Sequence, residues 1–220
     1  MNRVQIKICG ITKPEDAEFC DRLGVDAIGC VFFQKSPRFV TPDQAAEIRS
    51  AFRRTVVGVF VNPAIDDVVR IVEKTGIQVV QLHGEEPDTV VKELIHNGIM
   101  VIKTFFHAKS PRFSEASSSS APVFLAEPGI KGPGGTGSSW NWSEARELRN
   151  YGKPYLVAGG INPANVEEAL RRSEADGVDL SSGVEKVAGI KDHDLIKALM
   201  ETVRKMNVTW EIRPVFKGKS

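Results

Sequence analysis

Repetition is the feature that most constrains the fold. Eight short runs rich in Val and Ile recur along the chain: VQIKI (4–8), VDAIGCVFF (25–33), TVVGVFV (55–61), IQVVQLH (77–83), IMVIKTFF (99–106), PVFLA (122–126), PYLVAG (154–159) and DGVDLSS (176–182). Between them lie PEDAEFCDRLG, PDQAAEIRSAFRR, IDDVVRIVEKTG, EPDTVVKELIHNG, NWSEARELRNYG, NPANVEEALRRSE and KDHDLIKALMETVRKM. Most of these begin at Pro, Asp or Asn, several end at Gly, and their apolar residues recur at i, i+3, i+4, as amphipathic helices require. Strands alternating with helices at a spacing of roughly 25 residues make parallel βαβ units. Eight such units predict a single closed (β/α)8 TIM barrel of the α/β class. An open doubly wound sheet is the main alternative. It is weakened because Cys9-Gly10-Ile11-Thr12, not GxGxxG, follows the first strand.

The fifth unit is irregular. HAKSPRFSEASSSSA follows the fifth strand, and its Pro and run of four serines predict a degenerate fifth helix. The barrel is expected over residues 1–208. The segment 209–220, TWEIRPVFKGKS, reads as a C-terminal tail that frays or packs loosely on the outer wall.

Composition narrows the function classes. A chain of 220 residues with 41% hydrophobic and 26% charged content suits one globular domain. Lys plus Arg (29) nearly balance Asp plus Glu (28), so no global field favours nucleic acid or an acidic membrane. The expected partner is a small molecule, and any anionic group on it must be held locally. The sequence does not give the oligomeric state, with a monomer the favoured reading. Cys9, Cys20 and Cys30 form no CxxC pair and read as free thiols of a reducing compartment. His83, His96, His107 and His193 lie too far apart for a zinc ligand set, so no metal is expected. Met1 to Ile11 lacks the pattern of a secretory signal, and no apolar run approaches the roughly 20 residues of a membrane span. A cytoplasmic location is the expectation.

In a barrel of this kind the chemistry lies at the C-terminal ends of the strands. Those ends offer Cys9-Gly10, Lys35-Ser36-Pro37-Arg38, Asn62, Gln81-Leu82-His83-Gly84, Lys103, Glu127, Gly159-Gly160 and Asp179 to Gly183. Gly159-Gly160 after strand seven and Ser181-Ser182-Gly183 after strand eight let backbone N–H groups approach an anion, and these are the positions of the usual phosphate clamp. Gly134-Gly135-Thr136-Gly137 lies in a connection after strand six that is longer than a plain turn needs, which suggests a lid. Arg38 carries a planar fork suited to a carboxylate, although a lone loop Arg is more often a solvated charge. Cys20 and Cys30 read as small buried hydrophobes. Cys9 differs, because it ends strand one and shares a face with Lys7, whose charge would lower the thiol pKa. Lys7 could instead pair with Asp179.

These motifs together resemble the phosphoribosylanthranilate isomerase family of tryptophan biosynthesis. The likeness is carried by Lys7-Ile8-Cys9-Gly10-Ile11-Thr12, Phe32-Phe33 with Lys35-Ser36-Pro37-Arg38, Val61-Asn62, Gln81-Leu82-His83-Gly84, Gly134-Gly135-Thr136-Gly137, Ala158-Gly159-Gly160 and Asp179 to Glu185. The resemblance implies a cofactor-free barrel enzyme. Its reaction converts N-(5-phosphoribosyl)anthranilate to 1-(2-carboxyphenylamino)-1-deoxyribulose 5-phosphate, an Amadori rearrangement. It further implies Cys9 as general base and Arg38 as the partner of the anthranilate carboxylate, with Lys7, Gln81 and His83 beside the substrate. Gly135, Thr136, Gly159, Gly160, Ser181, Ser182 and Gly183 fall in the phosphate-binding segments.

One departure bears on the chemistry. The family ends strand six with an apolar pair followed by Asp; here Phe124-Leu125 is followed by Ala126, then Glu127. If Ala126 holds the Asp position, alternation turns Glu127 away from the pocket unless the chain bulges there. Glu127 is the expected general acid, with its pKa raised by burial. Trp140-Asn141-Trp142 stands where the family tends to have Phe-Asp-Trp, which alters the cap of helix six. The alternative function is a catalytically impaired phosphosugar-binding relative that lacks the strand-six Asp. A metal-dependent epimerase is a weaker fit, since only His83 stands at a strand end.

Overall fold

The computed structural model describes residues 3–129 and 140–216. Eight strands close in sequence order into a parallel barrel: β1 (Gln5–Cys9), β2 (Ala27–Val31), β3 (Thr55–Phe60), β4 (Val79–Leu82), β5 (Met100–Phe106), β6 (Val123–Glu127), β7 (Tyr155–Val157) and β8 (Gly177–Leu180). The closure is a β1–β8 ladder in which Lys7 stands beside Asp179. The predicted barrel is therefore present, with α1 (Pro14–Leu23), α2 (Pro42–Ser50), α3 (Ile65–Thr75), α4 (Asp88–His96), α5 (Val166–Ser173) and α6 (His193–Lys205) around it. Local signals set the helix starts. Pro42 occupies the first turn of α2 and Thr41 forms a reciprocal capping box with Gln44, while the Asp192 side chain accepts from Asp194 N and Leu195 N at the start of α6.

The fifth helix is reduced to a 3-10 segment, Phe113–Ser118, as the Pro and Ser run predicts. The sixth is also 3-10, Trp142–Tyr151, which the sequence pattern does not reveal. Its buried residues are Trp142, Ala145 and Leu148. That spacing of three keeps one face against the barrel only at three residues per turn.

Alternation divides the strands between two apolar layers. One packs under the helices and includes Ile6, Ile8, Phe124 and Ala126. The other fills the barrel and includes Val57, Val59, Val123, Leu125 and Leu156. Val215 and Phe216 belong to this inner layer, so the loose tail expected from sequence is corrected for residues 209–216. Gln5, at the start of β1, accepts from Val215 N (2.6 Å) and Phe216 N (3.1 Å) and donates to Phe216 O (3.1 Å). Upstream, Trp210 Nε1 donates to Ala175 O at 3.1 Å. The tail thus plugs the N-terminal mouth of the barrel, where burying each of its two apolar side chains stabilises by about 1.5–3 kcal/mol.

Candidate active site

The opposite mouth is polar. On β6 the inner layer takes Val123 and Leu125, and the outer layer takes Phe124 and Ala126. Glu127 therefore faces inward by plain alternation, with no bulge needed. Its Oε2 lies 3.4 Å from His83 Nε2, and each side chain is 27% exposed, open to the mouth. The imidazole is fixed from behind: Nδ1 lies 2.9 Å from Gln81 Nε2 and 3.1 Å from Thr104 Oγ1, and Phe106 meets the ring edge-on at 5.6 Å. Gln81 is buried beneath His83, and its Oε1 has no hydrogen-bond partner.

The Glu127 carboxyl lies below its ordinary range, contrary to the sequence expectation. Burial alone would raise it, but the charge and hydrogen bond of His83, with Lys7 and Lys109, outweigh that cost.

Across the mouth, Cys9 ends β1. Gly29 on the adjoining β2 makes room for it, since a Cβ there would come within 2.8 Å of Cys9 Sγ and 3.3 Å of Lys7 Nζ. Lys7 is fully buried and its Nζ donates to Asp179 Oδ1 at 2.9 Å. That pairing decides the question left open by the sequence. Burial raises the Cys9 thiol, Lys7 and Lys191 lower it, Asp179 raises it, and the net shift is upward. The expected lowering by Lys7 is thus overcome, chiefly because burial penalises the thiolate, with the Asp179 carboxylate adding to that penalty.

Arg38, in the loop after β2, is half-buried and bound side-on to Glu185: Nε to Oε1 at 2.8 Å, Nη2 to Oε2 at 2.5 Å. This leaves the end-on edge, Nη1 with the second Nη2 hydrogen, for a ligand carboxylate. Glu185 opens a small hairpin, β9 (Glu185–Val187) with β10 (Ile190–Lys191), that follows β8.

Gly159 and Gly160 follow β7, and Ser181 follows β8 and precedes a 3-10 turn at Ser182–Val184. The two loops touch: a Cβ on Gly183 would come within 1.9 Å of Ile161 O, so only glycine permits this approach. Two indoles support the first loop, Trp140 Nε1 donating to Ala158 O (3.0 Å) and Trp142 Nε1 to Gly159 O (3.2 Å). Ser181 Oγ is buried without a hydrogen-bond partner. Gly135 and Thr136 lie outside the described residues.

The structure therefore brings Lys7, Cys9, Gln81, His83 and Glu127 to one mouth, with Arg38 and both phosphate-type loops around it. Sequence reasoning missed Thr104, Lys191 and the structural use of both indoles, and it gave Glu185 no role. Nothing local distinguishes Lys191 from a solvated lysine. Among the described residues, no cluster of three or more His, Cys, Asp or Glu could hold a metal ion, and no helix is long and apolar enough to cross a membrane.

Known proteins resemble this chain in sequence and fold. The family model described as N-(5'phosphoribosyl)anthranilate (PRA) isomerase matches residues 6–202. The N-(5'-phosphoribosyl)anthranilate isomerase of Desulfatibacillum aliphaticivorans is 41% identical, over 97% of this chain and 99% of its own. That of Thermotoga neapolitana is 38% identical, over 91% and 98%. Among solved structures, the phosphoribosyl anthranilate isomerase of Thermotoga maritima superposes with a TM-score of 0.85 at 34% identity, covering 92% of this chain and all of that one. A structure of such an isomerase in complex with reduced 1-(o-carboxyphenylamino)-1-deoxyribulose 5-phosphate gives a TM-score of 0.80 at 32% identity, with coverage of 92% and 100%. This chain belongs to the N-(5'-phosphoribosyl)anthranilate isomerase family.

Proposed function

We propose that Cys9 and Glu127 are the general base and general acid of the isomerisation, facing one another across the barrel mouth. The reaction is the Amadori rearrangement of N-(5-phosphoribosyl)anthranilate. Glu127 delivers a proton to the furanose ring oxygen; the C1′–O bond breaks as the nitrogen lone pair forms the C1′=N iminium. The thiolate of Cys9 then takes the proton from C2′, and the electron pair becomes the C1′=C2′ bond of an enolamine. Tautomerisation, with a proton returned to C1′, gives the aminoketone. The iminium acidifies C2′–H, so a base of moderate strength suffices.

Glu127 rests ionised beside His83, so it takes up a proton at the solvent-open mouth before the ring oxygen arrives, and His83 Nε2, 3.4 Å from its Oε2, orients the carboxyl. Arg38 offers its free edge to the anthranilate carboxylate. The loops with Gly159, Gly160, Ser181, Ser182 and Gly183, joined by Gly135 and Thr136, take the phosphate. Gln81 Oε1 is available to a ribose hydroxyl, and Lys7, buried beneath Cys9 and paired with Asp179, acts on the substrate site through its charge. Phosphate and carboxylate at opposite ends orient the reacting carbon. The free thiols and the biosynthetic reaction fit a cytoplasmic protein, and a monomer places all these groups in one chain.

The observation that carries this reading is the inward register of Glu127 beside His83. Single-turnover assay of Cys9→Ala and Glu127→Gln tests it, with large losses expected in both. Wild-type rates in both variants would sink the assignment. Binding of a reduced, non-isomerisable product analogue without any turnover by the wild type would favour the impaired-relative reading.

A further inference from the structure

Lys191 is buried, yet nothing in the acid–base scheme uses it. Its ammonium has three hydrogens and three acceptors: Cys9 O at 2.6 Å, Glu185 Oε1 at 2.7 Å and Ser181 O at 3.3 Å. Those acceptors belong to the base strand, the hairpin and the turn after β8. Glu185, whose side chain is buried, spends its other contacts on Arg38 Nε, Arg38 Nη2 and Gly189 N. Thr12 Oγ1 donates to Gly189 O at 2.6 Å, tying the hairpin to the loop after β1.

We propose that Lys191 is a positioning residue for the isomerisation: through Cys9 O, Ser181 O and the Glu185–Arg38 pair it fixes the base, the phosphate turn and the carboxylate-binding arginine in one geometry. The inference rests on Cys9 being the base. Stability does not account for the arrangement. A buried ion pair repays its desolvation poorly, and apolar side chains of similar volume often do as well or better. What an apolar residue cannot supply is three directed hydrogen bonds to three parts of one site.

The charged and titratable groups that act on Cys9 or are acted on by it are Lys7 from β1, Asp179 from β8, Arg38 from the loop after β2, Lys191 from β10 and, from the outer face of β2, Cys30. Lys191 is among those that pull the thiol down. Its removal and that of its counter-ion therefore move the thiol in opposite directions.

The test compares Lys191→Met and Glu185→Gln with wild type by steady-state kinetics and by the pH profile of Cys9 alkylation with iodoacetamide, read by mass spectrometry. Lys191→Met is expected to lose about 10²-fold in kcat/KM, mostly in kcat, as a displacement near 1 Å would produce. Its alkylation profile is expected to move to higher pH. Should that variant not fold, Glu185→Gln carries the test: its profile is expected to move to lower pH, with a raised KM as Arg38 loosens. Folded variants with unmoved profiles and wild-type kcat/KM would overturn the proposal. The alkylation readout needs no turnover, so it stands apart from the base assignment, which fails only if Cys9→Ala stays active.

Discussion

Lys7 and Asp179 form a buried ion pair of 2.9 Å one inward-facing position before Cys9. Lys7 pulls the thiol down and Asp179, its partner, offsets part of that pull. Asp179→Asn should therefore have two effects. Stability falls by about 3–5 kcal/mol, because an ammonium is left buried without its partner. The Cys9 alkylation profile also shifts to lower pH, since the carboxylate that raises the thiol is gone while Lys7 remains. In the wild type the sign is opposite: with the thiol held above its ordinary value, reactivity climbs as pH rises past neutrality. Cys20 and Cys30, buried and pushed up to about 12, contribute little to the labelling. A profile in Asp179→Asn that matches wild type would show that the pair does not tune Cys9.

The register of β6 yields a sharper test of the acid. Glu127→Asp keeps the inward direction and shortens the reach, so activity should fall by up to about 10²-fold yet stay above that of Glu127→Gln. The double variant Ala126→Asp/Glu127→Ala restores the family's local order but aims the carboxylate at the outer apolar layer that holds Ala126. It should be inactive and destabilised, the latter by an unpaired buried carboxylate. Activity in the double variant above that of Glu127→Asp would mean that the strand slips to bring position 126 inward.

That register marks where the sequence stopped being legible. Strand and helix positions follow from apolar periodicity, and eight βαβ units have one closed solution, so the barrel could be read directly. Parity could not, because β6 is apolar on both faces: Phe124 and Ala126 face the helices while Val123 and Leu125 face the axis, and period two does not say which is which. The Cys9 shift was hidden for another reason. It is a sum of opposed contributions from burial, Lys7, Lys191 and Asp179, and its sign depends on contacts that only the folded chain makes. Lys191 reaches Cys9 across 182 positions of sequence. The tail was misread because Gln5 holds it through backbone groups, which leave no side-chain pattern.

His83 is held by a second buried network. Lys103 Nζ donates to Glu86 Oε2 at 2.5 Å and to Gly84 O at 2.8 Å, while Glu86 Oε1 accepts from Asn62 N (2.7 Å) and Gly84 N (3.0 Å). The loop that begins at His83 is thereby fixed to β5 and to the end of β3. Lys103→Met should cost about 3–5 kcal/mol by stranding Glu86. It should also lower kcat more than it raises KM, since the partner of Glu127 loses its support. Equal stability loss with unaltered kcat, measured by urea unfolding and steady-state assay, would confine the pair to a structural role.

Phe216 provides the opposite dissociation. It fills the N-terminal mouth of the barrel, whereas Cys9 and Glu127 stand at the C-terminal ends of their strands. Phe216→Ala opens a cavity against the inner layer, a change that costs roughly 3–5 kcal/mol in well-packed cores. The backbone bonds from Gln5 remain in this variant, so the loss reports the side chain alone. For the folded fraction at 25 °C, kcat/KM should match wild type while the urea midpoint falls. An unchanged midpoint would mean that the tail only rests on the barrel, and a parallel fall in kcat/KM would mean that the two mouths are coupled through the inner layer.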